Sequence, residues 1–242
     1  LLRGNWDIHA GQFFGEFNRK IHCIEPFEIP DYYKRFISID YGHDMSAVYW
    51  YALDEFGFYY TYKELYMPSL ALSDLAKEIR KRTSPIEKDA LGYTVASPDL
   101  WNRRQETGKS GREILVENGM GGFGLRPADN RRVEGWRMVR EYIKPFKDPL
   151  FDGDEEEAPK VARVRFFPNV KKLPSHLPLL QHAENDANDV ASDPHDITHG
   201  PESFRYFCMS RPAIKSITKK EQEKKRKRRQ KANTPLYKST GY

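Results

Sequence analysis

Cysteine is scarce in this 242-residue chain: Cys23 and Cys208 are the only two. They stand far apart and neither belongs to a Cys-x-x-Cys pair, which excludes a disulfide framework and a thiolate zinc site. Cys208 lies in the apolar stretch 204–209 and reads as a small core hydrophobe, so a reducing, intracellular setting is the expectation. Apolar runs are short as well. None approaches the roughly 18 residues of a membrane span, and no basic region, apolar core and cleavage site of a signal peptide is visible. The chain begins at Leu1 rather than methionine and is expected to be a fragment of something longer.

Acidic excess is missing too, but the net charge of +5 is unevenly spread. Residues 219–231 carry nine Lys or Arg against Glu221 and Glu223, a local balance of +7 that leaves −2 elsewhere. Basicity therefore belongs to a C-terminal segment, 212–242, expected as a flexible tail with nonspecific attraction for polyanions. A hydrophobic content of 38% with 13% aromatics suits one substantial globular core.

Residues 1–33 hold Trp6, Phe13, Phe14, Phe17 and Phe27 without a clean period, and are expected to be an irregular segment that packs on a neighbour. From 34 the pattern sharpens. Residues 35–41, 47–53 and 58–66 are rich in Ile, Val, Tyr and Phe and are separated by turn residues, predicting a three-strand antiparallel meander. A helix follows over 69–83, capped by Ser69 or Ser73 and ended by Pro85. Residues 91–96 read as a strand reached by a helical crossover, hence parallel to the first. Further helices are predicted at 109–118, 131–143, 173–183 and 201–209, with strands at 123–126 and 161–167 and a solvated loop at 148–160. This order predicts an α/β, ribonuclease H-like fold over 34–211, a central mixed sheet flanked by helices.

Three carboxylates organise the functional reading. Asp40 ends the first strand, Asp99 follows the fourth in Ser97-Pro98-Asp99, and Glu202 opens the last helix. Converging at one sheet edge, they would repel one another unless a divalent cation neutralised them. Oxygen donors with no cysteine or histidine pair beside them favour Mg²⁺ or Mn²⁺ over Zn²⁺. Two such ions, roughly 3.5 to 4 Å apart, suit phosphodiester hydrolysis, with Asp40 bridging and Asp99 and Glu202 each completing one ion. Other roles fit each residue singly: Asp40 as a strand end, Asp99 as a turn cap, Glu202 as a first-turn acid favoured by the helix dipole. Asp196 is either a turn cap or an additional metal ligand, and His199 either a packed histidine or a group that orients water. Gly108-Lys109-Ser110 is not a phosphate loop, because Arg103 stands where the first glycine is required. Arg103, Arg104, Lys109 and Arg112 read equally as an ordinary basic surface or as contacts to a nucleic-acid backbone.

Four blocks carry a family resemblance: Phe36-Ile37-Ser38-Ile39-Asp40-Tyr41-Gly42; Ser97-Pro98-Asp99-Leu100-Trp101 running on to Glu106-Thr107-Gly108-Lys109-Ser110; Asn130-Arg131-Arg132-Val133-Glu134-Gly135-Trp136; and His199-Gly200-Pro201-Glu202-Ser203-Phe204-Arg205-Tyr206. Together they resemble the C-terminal nuclease domain of tailed-bacteriophage terminase large subunits. Arg3-Gly4-Asn5-Trp6 with Gly11-Gln12-Phe13-Phe14 is similar to the stretch that joins the two domains there, which makes 1–33 an interdomain linker. The resemblance implies a metal-dependent endonuclease that cuts double-stranded viral DNA during genome packaging in the host cytoplasm. It further implies an ATPase domain outside this chain, with the small terminase subunit and the portal protein as partners. By that likeness Asp40 and Asp99 correspond to the first two metal ligands, and Glu202 stands where the family's pattern has aspartate, with Asp196 competing for the third place. The alternatives are a resolvase- or integrase-type nuclease of the same fold, and a noncatalytic module that binds DNA or docks on a portal.

Overall fold

The structure, a computed structural model, describes residues 11–105 and 108–210. The basic tail, the first ten residues, Glu106 and Thr107 lie outside the described residues. Strands β1 (Lys34–Tyr41), β2 (Met45–Leu53) and β3 (Tyr59–Pro68) form the expected antiparallel meander. The turn between β2 and β3 is fixed by Asp54, whose carboxylate accepts the amides of Phe56 and Phe58, both at 2.8 Å, and by Gly57 at φ +88°. After a first short helix, α1 (Arg19–His22), and the meander, a crossover through helices α2 (Leu72–Arg82) and α3 (Pro85–Asp89) delivers β4 (Leu91–Ala96) parallel to β1. After α4 (Gly111–Leu115), strand β5 (Leu125–Pro127) adds in parallel beyond β4, and α5 (Arg132–Ile143) follows.

A two-residue ladder joins β6 (Phe146–Lys147) to β7 (Lys160–Val161) at the base of a largely exposed acidic loop. Strand β8 (Val164–Phe166) then pairs in parallel with β3 at the far edge. The six-stranded order is β5-β4-β1-β2-β3-β8, with α6 (Lys172–His176) and α7 (His199–Ser210) completing the fold. No helix among the described residues is long and apolar enough to cross a membrane.

Strand periodicity decides which side chains meet which helices. Ile37 and Ile39 join Val48, Trp50 and the buried face of α2 (Leu72, Leu75, Ala76, Ile79) on one side of the sheet. Phe36 belongs to the other side, where α5, α6 and α7 pack. There Phe207 lies flat on Tyr51, with ring centroids 3.6 Å apart and planes 3° from parallel. Ser38 bonds the Tyr51 hydroxyl at 2.9 Å and the Ser203 hydroxyl at 2.8 Å, joining β1 to α7 through buried oxygens. Asp40, two residues on from Ser38, therefore faces α7 as well. Phe13, Phe14 and Phe17 are buried in this same layer, the first two edge-on to Trp136 of α5.

Several local expectations are corrected. Helix α2 starts after Ala71, and neither Ser69 nor Ser73 caps it; Ser69 takes φ +52° in the preceding turn. Pro85 opens a new helix rather than merely ending the old one, because Ser84 and Glu87 form a reciprocal capping box around it. The helix expected over 109–118 is regular only to Leu115 and unwinds through a wider turn in which Gly119 sits at φ +91°. The strand expected over 161–167 splits between β7 and β8. The helix expected over 173–183 is a short α6 followed by a tighter turn at Leu177–Leu179; its start is capped from β3 by Glu64, whose carboxylate accepts the amides of Lys171, Lys172 and Leu173.

Candidate metal centre

β1 and β4 run in parallel and end side by side, so the residues just past each strand share one edge of the sheet. The Ser97 amide donates to the Ile39 carbonyl at 3.1 Å. Its hydroxyl donates to Asp40 Oδ1 at 3.1 Å and accepts the Tyr41 amide. Asp99 lies in the next turn, Pro98–Trp101. Both acids line a cleft of about 450 Å³ outside the carboxyl ends of the strands, where ligands bind in open α/β sheets. Partial burial pushes the Asp99 carboxyl up and the Asp40 charge adds to the rise, against its own amide and Arg104. The Asp40 charge is thus close enough to disfavour ionisation of Asp99.

Helix α7 closes the cleft from above. His199 is buried and its Nδ1 lies 2.8 Å from Asp40 Oδ2; its Nε2 reaches Asp44 Oδ2 at 3.2 Å. A second histidine, His195, places Nδ1 3.0 Å from the same Asp44 oxygen. Two glycines permit this approach. A Cβ at Gly42 would stand 2.6 Å from His199 Cε1, and one at Gly200 would stand 2.6 Å from the buried Tyr49 hydroxyl. The expectation of carboxylates without a histidine pair is therefore corrected. His195 opens the turn His195–Ile197 that leads into α7 and His199 opens α7 itself, only four residues apart, and Asp44 lies in the turn after Asp40. Those two signals were present in the sequence.

Glu202 also lines the cleft, but each of its oxygens is held by an arginine. Oε1 is bonded to Arg132 Nη1, and Oε2 accepts Arg205 Nε at 2.7 Å. Arg132 is held in turn by Asp189 at 3.1 Å, and Arg205, almost fully buried, donates to Asn130 at 2.7 Å. Asp196 stays exposed in the turn His195–Ile197 and does not line the cleft; its carbonyl accepts the Tyr66 hydroxyl at 2.6 Å. Of the basic residues expected at the phosphate backbone, Arg103, Arg104 and Lys109 are exposed, and the Arg104 amide donates to the Lys109 carbonyl at 3.1 Å. Lys109 is paired with Glu117 at 2.8 Å and Arg103 lies 3.9 Å from Glu113. Arg112 is exposed on α4, and Arg104 is near enough to Asp99 to oppose its rise.

Burial alone would lower the His199 pKa, but the Asp40 and Asp44 carboxylates outweigh it and the net shift is upward from 6.5. Desolvation would raise Asp44, yet the hydrogen bonds from His195 and His199 together outweigh it and bring it from 3.8 down to about 2. His199 therefore contributes stability that is full below pH 6.5 and is lost as pH rises through its raised folded value. Asp44 contributes above pH 3.8 and loses that contribution as pH falls toward 2. Urea unfolding with chelator present is expected to show a stability gap between the chain and His199→Gln that is wider at about pH 5.5 than at about pH 8.5. An equal or larger gap at the higher pH would contradict this electrostatic account.

No protein-family model and no curated protein matches the chain by sequence. Solved structures do match its fold. The large terminase of a thermophilic bacteriophage superposes with a TM-score of 0.62 at 16% identity, over 86% of this chain and 46% of that one. The P22 large terminase nuclease domain superposes with a TM-score of 0.60 at 15% identity, over 83% of this chain and 92% of that one. The chain thus spans about half the length of the thermophilic phage protein and most of the P22 domain. Identities this low establish architecture alone, and the architecture is that of a phage large-terminase nuclease domain, ribonuclease H-like, with a central six-stranded sheet flanked by helices.

Proposed function

We propose that this chain is a metal-dependent endonuclease that hydrolyses the phosphodiester backbone of double-stranded viral DNA during genome packaging. The observation that carries the reading is that Asp40, at the end of β1, and Asp99, in the turn just after the parallel β4, line one cleft in this particular fold. Their oxygens fit a hard divalent cation, Mg²⁺ or Mn²⁺; the Asp99 carboxyl is raised chiefly by burial and further by the Asp40 charge, a repulsion that a cation between them would relieve. A bound divalent cation supplies polarisation of a phosphoryl oxygen and a water acidic enough to attack near neutral pH, and a pair of them serves both attacking and leaving oxygens.

The chain's own groups do the positioning. Ser97 fixes Oδ1 of Asp40 and His199 fixes Oδ2, so the carboxylate keeps one orientation. Asp99 lines the same cleft. Glu202 is a further carboxylate of the cleft beside Asp40, Asp44 and Asp99, and in this reading it joins Asp40 and Asp99 when a DNA phosphate competes for Arg132, which is partly exposed at the cleft wall. Arg103, Arg104, Lys109 and Arg112 contact the duplex backbone and position it without reading sequence. The domain organisation in this reading is a linker over 1–33, a nuclease domain over 34–211 and a basic tail over 212–242. The partners are an ATPase domain outside this chain, a small terminase subunit and a portal protein, in the host cytoplasm.

Supercoiled plasmid incubated with the chain is expected to be nicked and linearised with Mg²⁺ or Mn²⁺ and to stay intact with chelator. Intact plasmid under every metal condition would remove the nuclease reading and leave a DNA-binding or docking module. Cleavage confined to branched DNA would point to a resolvase-type enzyme.

A further inference from the structure

Asp44, His195 and His199 hold one ligand atom each within 4.8 Å of one another, and the geometry points to a separate cation site there, built for a divalent ion of the zinc and cobalt type rather than for magnesium. His195 Nδ1 and His199 Nε2 approach a single oxygen, Asp44 Oδ2, at 3.0 and 3.2 Å. With metal–ligand bonds of about 2.1 Å, neighbouring donors in an octahedral or tetrahedral shell stand about 3.0 to 3.4 Å apart. Both nitrogens thus stand from the Asp44 oxygen at the spacing of adjacent vertices of such a shell, and all three atoms lie within 4.8 Å of one another. With protons on the ring nitrogens these contacts are hydrogen bonds to Asp44, and a divalent cation would take the place of those protons among the three donor atoms.

The supporting contact has the form found around metal-bound histidines. Asp40 Oδ2 accepts the Nδ1–H of His199 at 2.8 Å, which fixes the ring orientation and leaves the Nε2 lone pair to face Asp44. Asp40 can do this with one oxygen while the other remains beside Ser97 on the Asp99 side, so the two sites share a carboxylate without sharing a position. Two imidazoles and one carboxylate select borderline cations, because Mg²⁺ and Ca²⁺ prefer all-oxygen shells. Access is open: the side chains of Asp44 and His195 are 54% and 60% exposed, whereas that of His199 is 5% exposed. A cation here would clasp the turn after β1 to the start of α7, the two segments that set Asp40 and His199.

The site stands apart from the nuclease reading and is tested without DNA. Co²⁺ is titrated into the full chain and followed by its visible d–d absorption, with Zn²⁺ and Mg²⁺ as competitors. Expected are bands of mixed nitrogen and oxygen ligation, removed by stoichiometric Zn²⁺ and retained in excess Mg²⁺. Asp44→Asn and His195→Gln, both at exposed positions, are expected to weaken Co²⁺ binding by more than the roughly 10-fold that loss of an outer-shell partner typically costs. Asp99→Asn is expected to keep the bands while losing any plasmid nicking. Unchanged Co²⁺ affinity in Asp44→Asn and His195→Gln, displacement by Mg²⁺, or loss of the bands in Asp99→Asn would each overturn the site, whatever the plasmid assay shows.

Discussion

Asp40→Asn is expected to lower metal-dependent plasmid nicking by on the order of 100-fold or more while the protein stays folded, since even outer-shell partners of a metal are worth about 10- to 100-fold. The substitution keeps the size of the side chain and removes its charge. One amide oxygen still accepts a bond from Ser97 or His199, but the NH₂ group must then face the other, which Oδ1 and Oδ2 of the acid satisfy together at 3.1 and 2.8 Å. The Asp99 carboxyl, which the Asp40 charge helps to raise, should relax downward in the variant. Nicking rates are compared at matched Mg²⁺ and Mn²⁺ concentrations, with a thermal melt of each protein as the folding control. Undiminished nicking by a folded Asp40→Asn protein would sink the assignment of this cleft as the place of hydrolysis.

Phe207→Ala is expected to cost about 3–5 kcal/mol, the usual range for removing a fully buried phenylalanine. Its ring is inaccessible to solvent, lies against Tyr51 at 3.6 Å and sits near Phe36, Tyr59 and Phe204. The cavity cannot close cheaply, because Tyr51 is tied to Ser38 and through it to Ser203. At roughly 2–4 °C per kcal/mol for a domain of this size, the melting temperature should fall by about 10 °C. Leu179→Ala, at a side chain 45% exposed, is the contrast and should shift it little. A fall of only a degree or two for Phe207→Ala would show that α7 is not anchored through this stack. The consequence reaches the cleft, since α7 also carries His199 and Glu202.

Particular elements show how much was legible beforehand. The meander, the parallel return of β4 and the amphipathic α2 and α5 follow from apolar residues recurring at two or at three to four positions, and β1 and β4 are found within a residue of their expected bounds. Caps and bends were less legible, because they depend on partners elsewhere. Glu64 caps α6 from more than a hundred residues away, and β8 leaves the line of β7 to reach β3. Among the acids, Asp40 and Asp99 were placed by the strands that precede them, whereas the environment of Glu202 depends on Arg132, 70 positions distant.

The sequence by itself determined that two acids would end adjacent parallel strands, because backbone geometry turns local apolar spacing into strand direction and side-chain face. Only the tertiary structure decided the company those acids keep. His199 on Asp40, His195 and His199 on Asp44, and two arginines on Glu202 depend on how closely α7 settles over the sheet. That distance is set by Gly42, Gly200 and the buried aromatic layer acting together. Coulombic and hydrogen-bond energies change steeply over a few tenths of an ångström, and no periodicity in the chain encodes separations that fine.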